Sequence, residues 1–220
     1  MSVKNHYNGT LNPYAQFQKA LTLEEVLGSP LIAGPLTLYS CCPNSDGAAA
    51  AILCSRDKLP AGGVRPVKVA ASVLTTGAYD NKADITSWEL EIRAAAEAYR
   101  MASLGPEDLD LLEVHDAFTI CEIIHCEDLG LCQPGEGGRL VEEGATELGG
   151  RIPVNPSGGL LSKGHPVGAS GVAQIVELVW QLRGQAGKRQ VKDARVGLAQ
   201  IMGGSKEADT RACTVHILTR

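Results

Sequence analysis

The sequence lacks any run of eighteen apolar residues, and its first residues, Met1–His6, form no apolar signal core. We therefore expect a soluble, cytoplasmic chain with no membrane partner. Aromatic residues make up only 4% of its 220 residues, whereas hydrophobic residues together make up 44%. This composition, rich in Ala, Val, Leu and Gly, favours an α/β fold over an all-β fold. The net charge of −5 argues against nucleic acid as the main partner.

The seven cysteines include no C-x-x-C pair, and their number is odd. Together with the missing export signal, this predicts reduced thiols. Cys121 and Cys126 lie beside His125 along a predicted apolar helix at residues 120–131, and Cys132 follows it. Cysteine in such a helix usually acts as a small hydrophobe, and the spacing is not that of a standard zinc site. No metal site is predicted.

Periodicity and turn residues divide the chain into alternating strands and helices. Residues 1–40 are predicted to be irregular except for a short helix at 22–27, capped by Thr22. Buried strands are predicted at 46–54 and 66–75, a short strand at 109–114, and a helix at 172–182. A helix at 87–103 is predicted to bury Trp88, Ile92, Ala95, Tyr99 and Ala102, a long loop to span 133–153, and strands at 195–202 and 212–218 to form a closing hairpin. The alternation implies a layered sheet with helices on both faces.

One histidine lies in a glycine-rich turn. His165 is followed by Pro166, and glycines at 158, 159, 164, 168 and 171 surround it ahead of the predicted helix at 172–182. Glycine permits backbone angles that other residues resist, and proline stiffens the turn around the imidazole. A histidine fixed in this way is suited to act as a general base near neutral pH. Because the turn lacks both a P-loop ending and a G-x-G-x-x-G, a phosphate cradle is not predicted.

A second histidine, His115, follows the predicted strand at 109–114 and begins a turn into the next helix. Helix N-termini present free N–H groups, which suit an oxyanion, an enolate or a thioester carbonyl oxygen. Taken alone, a histidine at the end of a strand is more often structural, satisfying buried backbone groups, so that interpretation stays open.

Several motifs occur in the order in which the thiolase superfamily carries them. They are Ser45–Ala49, His115–Phe118, Asn155–Gly159, Gly164–Pro166 and Gly203–Gly204. The chain most resembles the branch of sterol carrier protein thiolases and their acetyl-CoA acetyltransferase-like relatives, in which His-Asp-x-Phe replaces Asn-Glu-x-Phe. Lys4–Gly9 and Asn12–Phe17 also resemble the segment between that family's two halves.

The resemblance implies an α/β fold with a mixed five-stranded sheet and helices on both faces, preceded by the tail of the family's N-terminal half. Residues 1–60 would be the end of that half and its covering loop region, and residues 61–220 would be the C-terminal thiolase domain. The family's nucleophilic cysteine lies earlier, so a partner chain carrying the N-terminal half is expected, within a dimeric or tetrameric assembly. Without that partner, a strand edge and an apolar face would stay uncovered.

The same resemblance implies roles for particular residues. His165 would be the base that activates the thiol and, with His115, would hold the thioester oxygen, while the N–H of Gly203 would help to form a second oxyanion hole. Cys42, Ser45 and Asn155 would be the CoA-binding residues. Cys42 and Ser45 would lie near the pantetheine arm, and Asn155 would support the site. The loop that contains Cys42 and Ser45 is explained equally well as a plain turn that leads into a strand. Coenzyme A esters would be substrates, with no tightly bound cofactor.

The chain departs from the family at the Cys-x-Gly motif, whose cysteine shuttles a proton. Ile201, Met202 and Gly203 occupy those positions, and Ala117 stands where the sterol carrier branch can carry the cysteine instead. Three hypotheses are therefore open. The chain is part of an acyl-CoA acyltransferase, or of a CoA-ester aldolase or retro-aldolase that can work with an OB-fold acyl-CoA-binding partner, or it is a non-catalytic acyl-CoA-binding subunit.

Overall fold

The computed structural model describes residues 1–59, 62–63, 65–78, 85–206 and 209–220. Its α-helices are α1 (Ser2–Thr10), α2 (Leu23–Leu27), α3 (Glu89–Ala102), α4 (Thr119–Asp128), α5 (Gly137–Glu142), α6 (Gly159–Lys163) and α7 (Ser170–Arg183). Its strands are β1 (Leu31–Ala33), β2 (Leu36–Thr37), β3 (Lys68–Thr75), β4 (Leu111–Glu113), β5 (Val196–Lys206) and β6 (Asp209–Thr219). In this part of the chain no helix is both long and apolar enough to cross a membrane.

The main sheet is mixed and has the strand order β3-β6-β5-β4. Strand β6 pairs antiparallel with both β3 and β5, which confirms the predicted closing hairpin, whereas β4 runs parallel to β5. On the free side of β4, Leu112 forms a parallel bridge with Val154. The expected mixed sheet with helices on both faces is confirmed, but the position of its fifth strand is held by this single bridge.

Alternation along the strands directs side chains into two cores, one on each face of the sheet. Leu112, Leu198 and Ile217 face α3 and α4, where they pack with Ala94 and Cys126. The neighbouring residues point the other way and pack against α7; this second core contains Leu111, Ala199, Leu218, Leu178 and Leu182. A Cβ on Gly197 would come within 2.9 Å of Leu178, so glycine permits α7 to lie close on the sheet.

The predicted buried strand at residues 46–54 is wrong. These residues form no strand, and Ile52 and Leu53 are 97% and 79% exposed. Among the described residues no strand lies beside this stretch to supply a ladder, so its apolar, alanine-rich character alone does not fix a strand. The strand predicted at 66–75 is confirmed as β3, but as an edge strand whose residues alternate between buried and exposed, with Leu74 64% exposed.

The helices also differ from expectation in detail. Helix α2 carries the predicted Thr22 cap, with a full capping box to Glu25. Helix α3 buries Leu90, Glu91, Ala94, Ala95 and Ala98. Of the residues predicted for its buried face, Ala95 is buried and Trp88, Tyr99 and Ala102 are partly buried against the core, whereas Ile92 is exposed. The small alanines of the buried face let α3 lie close on the sheet. Two segments expected to be irregular, 1–10 and 137–142, contain α1 and α5.

Gly159 offers a sharp test of this packing. Its φ is +60°, and an added Cβ would lie 2.1 Å from Oδ2 of Asp116, in a fully buried place. We expect Gly159→Ala to lower the free energy of unfolding by about 2 kcal/mol or more, because the strain and the clash with a buried carboxyl add together. Urea unfolding followed by circular dichroism measures this.

The matched control is Gly138→Ala in α5, where an added Cβ meets no atom within 4 Å. Alanine is the better helix former, so this variant should be neutral or more stable by up to about 1 kcal/mol. Equal unfolding midpoints for both variants would contradict the packing described for Gly159.

Candidate active site

Two histidines from separate turns meet at one end of the sheet. His115 lies between β4 and α4, and His165 lies between α6 and α7. Their Nε2 atoms are 3.5 Å apart, and the rings meet edge to face with centroids 5.2 Å apart. The sequence predicted both residues, and the structure brings them together.

His165 is oriented by the first residue of α7. Its Nδ1 lies 2.8 Å from Oγ of Ser170, and that hydroxyl donates its proton to the carbonyl of Pro166 at 3.1 Å. Since a hydroxyl has one proton to give, Nδ1 is the donor in the first contact and Nε2 keeps its lone pair. Burial and the charge of Lys163 lower the pKa of His165, which makes its neutral form available at neutral pH.

His115 is fixed through its backbone on both sides. Its N–H donates to Oε1 of Gln200 at 3.0 Å, and its carbonyl accepts from Nε2 of His125 at 3.0 Å. Burial, then the charges of His125 and His165, lower the pKa of the His115 ring to about 3. His115 is therefore a neutral imidazole over the whole physiological range.

The segment Cys41–Ser45 lies across both histidine turns. The N–H of Cys42 donates to the carbonyl of Ala117 at 2.8 Å, and the N–H of His165 donates to the carbonyl of Pro43 at 3.3 Å and to Oγ of Ser45 at 3.2 Å. The hydroxyl of Ser45 also donates to Oε1 of Gln16. The two turns are thus tied together by backbone pairing with a third segment.

A buried polar network supports the turns from behind. Asp116 accepts from the N–H of Leu160 at 2.6 Å and from Nδ2 of Asn5 at 2.7 Å. Asn155 accepts from the N–H of Val114 at 2.9 Å and donates to Glu122 at 2.9 Å, and it is fully buried. Burial and the charge of Glu122 raise the pKa of Asp116 to about 8.

Asn155 is a buried member of this network. Its side-chain oxygen and nitrogen both bond inside the chain, so it supports the loop that leads to His165 and does not face open surface. The positive φ of 54° at Asn155 fits an asparagine that turns the chain there.

Open grooves lie on two sides of the histidine loop. The first, of about 680 Å³, is mainly apolar and reaches from both histidines to Gly203 and His216. The second, of about 600 Å³, contains Ser45, Gln16 and Lys163 among its lining residues. A Cβ on Gly203 would meet nothing within 4 Å, so its backbone is open to the first groove.

All seven cysteines are described and free. The two that lie near the histidine turns, Cys42 and Cys121, do not have activated thiols. Burial, followed by the charge of Asp116, raises the pKa of Cys42 to about 11, and burial raises the pKa of Cys121 to about 11. Within the described residues, no group of three or more His, Cys, Asp or Glu side chains is arranged to hold a metal ion.

Sequence reasoning missed the residues that orient the histidines. Gln200 lies in a predicted strand, and Ser170 lies in the glycine-rich stretch before the predicted helix at 172–182, but their local sequence does not mark either as a partner of a histidine. Glu91 and His125 lie 34 residues apart and contact each other across two helices. Only the fold brings such pairs together, so their spacing carries no signal.

The chain is similar to several known proteins. Residues 71–219 match the family model described as thiolase C-terminal domain-like. The acetyl-CoA acetyltransferase of Methanothermobacter thermautotrophicus is 50% identical over 222 residues, which cover all of this chain and 57% of that protein. Sterol carrier protein 2 of Bos taurus is 46% identical over 91% of this chain and 38% of its own length. The benzoylsuccinyl-CoA thiolase subunit BbsB of Thauera aromatica is 43% identical over 94% of this chain and 55% of its own length.

A solved structure shares the fold. A chain of the Ltp2-ChsH2(DUF35) aldolase superposes with a TM-score of 0.83 at 26% identity, covering 99% of this chain and 56% of that one. The chain therefore spans about half the length of several proteins that it matches.

The thiol environments predict an order of alkylation. At neutral pH, iodoacetamide should modify the exposed Cys54 first, with Cys42 and Cys121 at least about tenfold slower, because burial disfavours their thiolates. A time course of peptide mass spectra measures each site. In the urea-unfolded chain the differences should vanish, whereas modification of Cys42 or Cys121 ahead of Cys54 in the folded chain would reveal an activated thiol and refute this assignment.

Proposed function

The chain belongs to the thiolase superfamily, where it matches the C-terminal part of the members, and we propose that it serves as the C-terminal portion or subunit of a thiolase-like acyl-CoA acyltransferase. It would make or cleave a carbon–carbon bond next to a CoA thioester. The observation that carries the proposal is the pair of neutral imidazoles, His115 and His165, whose Nε2 atoms lie 3.5 Å apart at the edge of an open groove.

His165 is the base in this proposal. The contact to Ser170 leaves a lone pair on Nε2, so this atom can take the proton from a cysteine thiol that a partner chain supplies. Once protonated, Nε2 becomes a donor. The N–H groups of His165 and His115 then stabilise the oxygen of the thioester as negative charge develops on it.

Gly203 has the complementary role. Its backbone faces the same groove as the two histidines and carries no side chain that would fill the space. Its N–H is the proposed donor for a second oxyanion, formed when the acyl-cysteine is attacked. Asn155 acts indirectly, by holding the segment that leads to His165 against Val114 and Glu122.

Coenzyme A esters are the proposed substrates, without a tightly bound cofactor. Ser45 lines the groove of about 600 Å³ beside the His165 loop, which is open enough to admit the pantetheine arm. Cys42 is the second proposed contact, since its backbone pairs with the turn that carries His115. Its protonated thiol would pack against the ligand and not react with it.

A partner carrying the N-terminal half of the family's fold would complete the site. Residues 1–60 are the proposed tail of that half and residues 61–220 the C-terminal domain. Ile52 and Leu53 are 97% and 79% exposed, and Leu31 and Ile32 are 70% and 57% exposed. Such apolar residues favour burial against another chain, within a dimeric or tetrameric assembly.

The test combines this chain with a cysteine-bearing N-terminal half and measures thiolysis of a 3-ketoacyl-CoA. His165→Ala should lower kcat/KM by about 10²–10⁴-fold, because it removes the base and one oxyanion donor. His115→Ala should cost about 10²–10³-fold, whereas His115→Asn, which keeps an N–H donor, should retain more activity.

Arg100→Ala on the exposed side of α3 is the control and should leave the rate unchanged. Full activity of the His165→Ala complex would overturn the assigned chemistry. Tight binding of acyl-CoA without turnover in any combination would instead indicate the non-catalytic subunit.

A second candidate is the cleavage of a CoA ester by retro-aldol chemistry. It is favoured by Ile201 and Met202 in place of a proton-shuttling cysteine, and by the likeness to a chain of an aldolase complex. This reaction needs no acyl-cysteine. Release of an aldehyde or ketone without dependence on free CoA, in the presence of an OB-fold acyl-CoA-binding partner, would establish it over thiolysis.

A further inference from the structure

A buried ion pair lies directly behind His115. Glu91, in the first turn of α3, places Oε2 at 2.8 Å and Oε1 at 3.0 Å from Nδ1 of His125, which lies in the last turn of α4. Both side chains are fully buried. The ring of Trp88 covers the imidazole at a centroid distance of 5.0 Å.

Each nitrogen of His125 faces an oxygen that can accept a hydrogen bond. Nδ1 faces the two carboxylate oxygens of Glu91, and Nε2 donates to the carbonyl of His115 at 3.0 Å. A neutral imidazole has one N–H, so it satisfies both contacts only if Glu91 is protonated instead. The two near-equal distances to Nδ1 fit a carboxylate that shares one N–H between its oxygens.

We propose that His125 is a positioning residue for His115: as an imidazolium held between Glu91 and the His115 carbonyl, it fixes the peptide that carries His115 and keeps the His115 ring uncharged. The inference rests on the proposed function only for the role of His115 as an oxyanion donor. The arrangement itself stands on the contacts of the folded chain.

The charged groups around His125 support this protonation state. Burial alone would lower the pKa of His125, but the carboxylate of Glu91 and its hydrogen bond raise it above the ordinary value. Asp128, in α4, adds a second negative charge while accepting from Ser87 and from the N–H of Trp88. From β6, the thiol of Cys213 lies near Glu91. Burial and the charge of Glu91 raise the pKa of this thiol to about 12.

The positive charge of His125 lies beside the carbonyl of His115 and therefore acts on the His115 ring. His125 and His165 are the charged or titratable groups that oppose protonation of the His115 ring, after burial. A neutral His115 can donate a hydrogen bond to an anionic oxygen while its N–H proton stays on the ring. It also stays neutral when His165, 3.5 Å away, takes up a proton during a reaction.

The experiment is a pH titration of this chain with ¹⁵N-labelled histidine, followed by long-range ¹H–¹⁵N spectra. At pH 7, both nitrogens of His125 should show the shift of a protonated imidazolium, and His115 should remain neutral down to about pH 5. One unprotonated nitrogen on His125 at pH 7 would mean a neutral pair with protonated Glu91, and would overturn the proposal.

Two variants separate charge from hydrogen bonding. His125→Gln keeps an amide donor near the place of Nε2 but removes the charge, and Glu91→Gln keeps an acceptor for Nδ1 but removes the anion. In both, the titration midpoint of His115 should rise by about one pH unit, because a neighbouring positive charge is lost. An unchanged midpoint in the folded variants would refute the electrostatic role.

His6→Gln is the matched control, since His6 is buried elsewhere against Phe17 and Tyr39 and should leave the His115 signals unchanged. Circular dichroism establishes that each variant is folded. If either variant fails to fold, the shifts of His125 in the parent chain still decide the protonation state. None of these readouts needs a partner chain or acyl-CoA, so a failure of the proposed function would be seen separately.

Discussion

The structure depends on a buried polar network that joins α1 to the turns carrying the two histidines. Lys4 pairs with Glu122 at 2.9 Å and donates to the carbonyl of Val154 at 2.6 Å, and Asn5 bonds to both Asp116 and Glu122. Buried charges are stable only when paired in this way, so losing one partner leaves an uncompensated charge. The network fixes the relative positions of these segments, because each buried group has few other positions in which its hydrogen bonds are satisfied. It therefore holds β4, α6 and α1 in one arrangement.

Electrostatics constrain the site as strongly as geometry does. Two positive charges 3.5 Å apart would repel each other by about 5 kcal/mol at an effective dielectric constant of about 20. At most one of the two rings can therefore be an imidazolium at a time, and burial lowers the pKa of both rings. Because the pKa of His115 lies lower than that of an ordinary histidine by several units, His165 is the member that accepts a proton. The division of roles follows from the surroundings of each ring.

The sequence predicts the elements of this site better than its support. The glycines around His165 mark one turn, and the end of the predicted strand before His115 marks another. The polar residues in these turns are also short-range signals that the sequence shows directly. The hairpin of β5 and β6 is likewise local. By contrast, the segment at 46–54 looks like a strand but pairs with no other strand among the described residues, and a strand is stabilised by its neighbours. Ser170, Gln200 and Glu91 act through contacts that only the folded chain creates.

The exposed segment at 46–54 continues directly from the residues that bond to the two histidine turns. Residues 41–45 pair with both turns, and the exposed stretch that ends near Leu53 follows directly. A partner that buried Ile52 and Leu53 would therefore hold the backbone which bonds to the N–H of His165. Docking would restrict the exposed side chains of this stretch, and the partner's apolar contacts would have to offset that loss of conformational entropy. In the proposed assembly, docking of the second chain and alignment of the base become linked, so the site is completed by the same contact that brings the nucleophile.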